Sequence, residues 1–173
     1  MKLAWISAAF LLTSAASAVE LGDKFPAKTI KHIEKGQIST GDMAGKVTII
    51  NFWATWCEAC KVEIVEMEDL FRPYVHDKNF QMVFVSLDKD PSKAKEWFAS
   101  NLKKPDEMTK FLYSDKTFAL AEELSIDSFP MTMIIEPNGK IGYIQKGFVE
   151  GEGSTEKMVA HSAKVLKTTK QSM

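Results

Sequence analysis

Apolar and polar positions change period several times along the 173-residue chain, and each change marks an element. Lys46-Val-Thr-Ile-Ile-Asn-Phe-Trp53 is β-branched and aromatic with almost no polar interruption, the pattern of a strand buried on both faces at the centre of a sheet. From Cys57 the spacing becomes three and four: Cys60, Ile64, Met67, Phe71 and Val75 recur with Glu and Lys between them, which predicts an amphipathic helix that Pro73 kinks or ends. Residues 80–87 form the next strand. Asp90 and Pro91 then read as N-cap and first residue of a helix to about Ser100, with Trp97 and Phe98 toward the core. Residues 110–113 suggest a short strand and 116–124 a helix. Residues 130–136 form a strand that turns through Pro137-Asn138-Gly139-Lys140 into residues 141–148 as a hairpin. Ser154 caps a last helix through about Lys167, with Met158, Val159, Ser162, Val165 and Leu166 on one side. At the front, residues 28–34 form a weak strand, and 36–45 carry turn residues with one short helical turn at 40–44. Helices crossing between strands, with a hairpin at one edge, define an α/β fold with a mixed sheet.

Composition narrows the partners. The chain is 45% hydrophobic and 26% charged, with 22 Lys+Arg against 23 Asp+Glu and a net charge of -1, so no basic excess exists to neutralise phosphates and nucleic acid is excluded as the expected partner. The one long apolar window lies at the start: Lys2, a run from Leu3 to Leu12, and Ala16-Ser17-Ala18 as a small-x-small site. Ten residues are too few to span a bilayer of roughly 30 Å, and the three-part order is that of a secretory signal cleaved after Ala18. The alternative is a retained signal anchor. No Cys follows the run, so a lipid anchor is not indicated. Residues 19–173 are then one mature domain, exported or periplasmic.

Export gives the two cysteines their meaning. Cys57 and Cys60 are too close to staple distant elements, and so small a loop gains little chain entropy, so their use is chemical. They open a helix directly after a central strand, where free N–H groups and the positive dipole end stabilise a thiolate on Cys57. Cys60, a turn deeper, can attack a mixed disulfide on Cys57. A bare C-x-x-C is also half of a zinc site, but no second C-x-x-C exists and His32, His76 and His161 are scattered, so no metal is expected.

Asn51-Phe-Trp-Ala-Thr-Trp-Cys-Glu-Ala-Cys-Lys61 resembles the active-site segment of the thioredoxin superfamily. Within that superfamily the chain is most similar to exported TlpA/ResA-type thiol-disulfide oxidoreductases. Asn51 stands where cytoplasmic thioredoxins carry a buried Asp, Glu63 follows Cys60 by three, an additional strand-helix unit lies before Pro130, and a signal precedes the domain. The resemblance covers about residues 20–168 and implies a thioredoxin-like fold. It makes Cys57 the attacking thiol, Cys60 the resolving thiol, and Pro130 a cis-proline facing them; alone, Pro130 opening a strand fits a trans bond as well. Phe129 and Met131 would flank an extended substrate segment paired beside that proline, and Trp56 would line the same surface while Trp53 packs inside.

The resemblance also implies that Glu63, on the same side of the helix as Cys60, is partly buried with a raised pKa and shuttles a proton; the alternative is a solvated Glu among Glu58, Glu66 and Glu68. Glu58 is expected to be exposed and to raise the Cys57 pKa against the dipole. Ala59 departs from the proline many relatives carry there. The activity implied is reduction of disulfides in exported proteins, apocytochrome c among them, with electrons from a DsbD-like membrane thiol donor. The protein would act as a monomer with no cofactor beyond its own disulfide. The competing functions are a DsbA-like oxidase, which should carry a large helical insertion, and a thiol-based metal carrier. Met131 and Met133 at alternate strand positions are one packed face rather than a copper site.

Overall fold

In the computed structural model of the chain, residues 18–34, 36–109 and 111–171 are described. The leader read from residues 1–18 falls outside them apart from Ala18, as does Lys110 of the expected short strand. Seven strands form one mixed sheet: β1 (Thr29–His32), β2 (Gln37–Ser39), β3 (Val47–Trp53), β4 (Phe80–Ser86), β5 (Leu112–Ser114), β6 (Met131–Ile135) and β7 (Ile141–Lys146). Their spatial order is β2-β1-β5-β4-β3-β6-β7. The β3-β4 and β4-β5 pairs are parallel, each joined by a helical crossover, while β1-β2, β1-β5, β3-β6 and β6-β7 are antiparallel. Every residue of β3 is buried, as a strand covered on both faces must be.

The strict alternation of β3 sorts the core into two layers. Val47, Ile49 and Trp53 face α1 (Glu58–Phe71), α2 (Pro91–Asn101) and α5 (Ser154–Gln171), meeting Ile64, Met67, Phe71, Phe98, Met158 and Leu166. Ile50 and Phe52 face the other way, against Leu120 and Ala121 of α4 (Ala119–Glu123) and Met43 of a 3-10 turn. Asn51 shares the α1 face with Trp53, and its position there is set by the same alternation. The expected stripe of α1 is buried at Cys60, Ile64, Met67 and Phe71, each large apolar side chain contributing about 1.5–3 kcal/mol.

Several boundaries differ from those the pattern predicts. Residues 36–45 include β2, whose three residues carry one apolar side chain and become a strand only by pairing with β1. Pro73 lies in a 3-10 turn, Arg72–Tyr74, after α1 has ended at Phe71. A short α3 (Pro105–Thr109) has no counterpart in the periodicity. Helix 116–124 is shorter: Phe118 takes φ 60°, and the Asp115 carboxylate accepts the N–H groups of Leu120 at 2.9 Å and Ala121 at 3.1 Å, so helical structure starts at Ala119. Ser154 is the first residue of α5 rather than its cap. The hairpin turns as expected, with Gly139 at φ +79° and the Glu136 N–H donating to the Lys140 carbonyl at 2.8 Å. Among the described residues no helix is long and apolar enough to cross a membrane.

Candidate active site

The loop from Ala54 to Cys57 leaves the carboxyl end of the central strand and runs straight into α1, so the two cysteines sit where strand and helix meet. Cys57 is the N-cap of α1, its sulfur accepting the Cys60 N–H at 3.3 Å, and the helix itself begins at Glu58. Cys57 and Cys60 are joined as a disulfide with S–S 2.03 Å. Cys57 is partly exposed and Cys60 is 0% exposed, which makes Cys57 the sulfur a protein partner can reach.

Aromatic packing holds the loop from behind. Trp53 lies 5.3 Å, centroid to centroid, from both Trp97 and Phe98, and Phe98 meets Phe84 edge to face at 5.5 Å. On the solvent side Trp56 is 58% exposed and meets Phe129 edge to face at 6.0 Å, which places the Cys57 loop beside the loop that enters β6. The Phe129–Pro130 bond is cis. Pro130 is buried and its carbonyl accepts the Gly147 N–H at 2.8 Å. Met131 does not line this surface with its side chain, which is 2% exposed in the layer facing α4; pairing with Phe52 and Lys146 turns it inward and leaves only its backbone near the proline.

Glu63 is wholly buried on the α1 face of the sheet. Asn51 Nδ2 donates to its Oε2 at 2.8 Å and Thr132 Oγ1 donates to the same oxygen at 3.2 Å, while Asn51 Nδ2 also donates to Thr132 Oγ1 at 2.7 Å. Burial lifts the Glu63 pKa from 4.5 to about 7, outweighing the two hydrogen bonds that pull it down; the nearby Glu66 charge adds to the rise. A carboxyl with that midpoint exchanges a proton near neutral pH. Its charge also reaches Tyr143, whose phenol is pushed up by burial and then by Glu63.

Two features of the site were hidden in the sequence. Asp88, just past β4, is 3% exposed and accepts from the Thr55 N–H at 3.1 Å, the Thr55 hydroxyl at 2.7 Å and the Ser86 hydroxyl at 2.9 Å, pinning the chain two residues before Cys57. Thr132 is the other, reachable only through its register opposite Asn51. Glu58 is exposed, but its carboxylate sits 2.6 Å from Lys61 Nζ, so the charge expected to oppose the dipole at Cys57 is partly offset. Among the described residues no three His, Cys, Asp or Glu side chains gather as a metal site.

A helix-capping disulfide with one reachable sulfur, beside a buried carboxyl titrating near neutrality, on a mixed sheet of this order, defines the thioredoxin-like thiol-disulfide oxidoreductases as the class. Residues 21–144 match the AhpC/TSA family, and the chain belongs to that family. It is 32% identical over 131 residues to the thiol-disulfide oxidoreductase ResA of Oceanobacillus iheyensis, covering 73% of this chain and 65% of that relative. To ResA of Bacillus cereus it is 25% identical over 147 residues, covering 85% and 79%. Among solved structures it superposes on a thioredoxin-family thiol:disulfide interchange protein from Chlorobium tepidum with TM-score 0.65 at 18% identity, covering 86% of this chain and 99% of that one. StoA from Bacillus subtilis gives TM-score 0.60 at 21% identity, covering 78% and 95%. These two likenesses carry the fold, an α/β thioredoxin-like sheet flanked by helices.

Proposed function

We propose that this protein is an exported reductase of protein disulfides. The observation that carries this reading is the asymmetry of the pair: a reachable Cys57 over a buried Cys60 with Glu63 one helical turn further on. In the reduced protein the Cys57 thiolate attacks one sulfur of a substrate disulfide, forming a mixed disulfide and releasing the other sulfur as a thiolate. Glu63 takes the Cys60 proton, and the Cys60 thiolate attacks Cys57 Sγ. The two substrate thiolates take up the proton held by Glu63 and one from solvent, so the substrate leaves as a dithiol, and two electrons have passed from the Cys57/Cys60 pair, which ends as the disulfide. The Cys57/Cys60 dithiol carries the electrons and no further cofactor is needed.

Export rests on the leader pattern of residues 1–18, which is consistent with action in a periplasm or elsewhere outside the cytoplasm. Regeneration of the dithiol in an oxidising compartment requires a membrane thiol donor of DsbD-like type. Apocytochrome c is the substrate that the ResA resemblance suggests. The oxidase direction is less well supported, because the segment between β4 and β6 holds α2, α3, α4 and a strand of the sheet rather than one large helical insertion.

Titration of the mature domain against thiol-disulfide buffers tests the direction. A Cys57-Cys60 potential near or below about -270 mV supports a reductant, and one near about -120 mV makes the protein an oxidant of new exported chains.

A further inference from the structure

Asn51 on β3 and Thr132 on β6 are direct cross-strand partners, both wholly buried, and both aim at Glu63 from the sheet. Three hydrogen bonds join Asn51, Thr132 and Glu63, and Asn51 Oδ1 is left buried without a partner among the described residues. A carboxylate can only accept, so the Asn51 amide must present its NH2 group, and its two hydrogens go to Glu63 Oε2 at 2.8 Å and to Thr132 Oγ1 at 2.7 Å. With its oxygen accepting from Asn51, the Thr132 hydroxyl sends its own hydrogen to Glu63 Oε2 at 3.2 Å. Every donor of the platform therefore converges on one carboxyl oxygen. Among the described residues no group donates to Glu63 Oε1, although that atom is also buried.

We propose that Asn51 and Thr132 are positioning residues for Glu63, holding Oε2 as the hydrogen-bonded carbonyl oxygen and leaving Oε1 as the atom that carries the exchangeable proton. A proton on Oε2 would confront two donated hydrogens, and one of those hydrogen bonds would have to break; a proton on Oε1 leaves all three in place. The platform also sets proton affinity, because both donors favour the charged carboxyl over the neutral one, against burial and the Glu66 charge on the same helix. Tyr143, on β7, also senses the Glu63 charge, and Thr155 of α5 hydrogen-bonds Glu66 Oε2 at 2.9 Å. The inference rests on the proton-shuttle reading of Glu63 given above only for its consequence in turnover; the atom assignment stands on the geometry.

The test uses the full mature chain with the Cys57-Cys60 disulfide intact, so that neither thiol titrates. Carboxyl 13C NMR gives the Glu63 midpoint, with Glu63→Gln identifying the resonance, and infrared difference spectra between low and high pH give the C=O stretch of the protonated side chain. Thr132→Val is expected to raise the midpoint by roughly one pH unit, the loss of one hydrogen bond to a charged acceptor. It is also expected to move the C=O stretch to higher frequency, because Oε2 loses a donor. Thr132→Ser restores both. A midpoint unmoved or lowered by Thr132→Val overturns the inference, as does a wild-type C=O stretch at the frequency of a carbonyl without donors. If Glu63→Gln leaves the pH dependence of exchange unchanged while Thr132→Val shifts midpoint and stretch, the shuttle reading falls and the atom assignment stands.

Discussion

The two ends of α1 each bury a glutamate, and they use it in opposite ways. Near the N-terminal end, Glu63 meets two neutral side-chain donors on one oxygen and none on the other, and its carboxyl titrates at about 7. One and a half turns later, Glu68 is 3% exposed and spreads its load: Oε2 accepts the Lys103 N–H at 2.9 Å, Oε1 accepts the Lys104 N–H at 2.6 Å, and Arg72 lies 3.8 Å from Oε1. Both oxygens of Glu68 are thus engaged by backbone donors in the turn between α2 and α3, and the residue ties that turn to α1. A buried carboxylate with both oxygens satisfied is a structural tie, whereas one satisfied on a single side remains ready to take a proton.

Cys60→Ser removes the thiol proposed to resolve the mixed disulfide, so turnover should fall to background while mixed disulfides with partner proteins accumulate through Cys57, visible on non-reducing gels. Accumulation of none would remove exchange chemistry from the N-terminal end. Glu63→Gln should slow exchange on the order of 10²-fold and flatten the pH-rate limb near 7. The same variant should change stability in a defined direction. Because the folded protein holds the Glu63 proton more tightly than the unfolded chain does, wild-type stability falls as pH rises from 4.5 through about 7. Glu63→Gln escapes that loss and should be the more stable protein at pH 8 by up to about 3 kcal/mol, with the advantage gone at pH 4; urea unfolding at the two pH values reads it.

Glu68→Ala should do the reverse of Glu63→Gln. It leaves two backbone donors without their acceptor and should cost about 1–2 kcal/mol in urea unfolding, with exchange per folded molecule unchanged. A large loss of exchange would mean that the two ends of α1 are not separable. The smallest effect is expected at the surface pair: Lys61→Met exposes Cys57 to the uncompensated Glu58 charge and should raise the Cys57 alkylation midpoint by a few tenths of a pH unit.

Much of this site was legible from residue types and spacing, because its chemistry is local. Cys57 and Cys60 lie within one helical turn of each other at a strand-helix junction, and the alternation of β3 with the three-four spacing of α1 marks both elements without reference to anything distant. Glu63 was legible only as one of two readings, solvated or buried, since the choice depends on what covers that face of the helix. Glu68 stands among the glutamates of the solvated alternative and is buried, because Lys103 and Lys104, in the turn before α3, supply its donors from 35 and 36 residues away. Met131 was read beside the substrate and is core, because which face of β6 a side chain takes is fixed by register with β3 and β7.

The amino-acid sequence by itself determined the α/β class, the central strand, the redox pair and the hairpin, since each depends on contacts among near neighbours and on hydrophobic period. The tertiary structure alone decided which carboxylates are buried and what faces them. The Asn51-Thr132 pairing joins residues 81 apart, and Asp88 reaches Thr55 across 33, so no local pattern encodes either. Hydrogen-bond partners and desolvation are properties of where the sheet and helices meet, and that meeting gives one glutamate of α1 a proton to exchange and the other a backbone to hold.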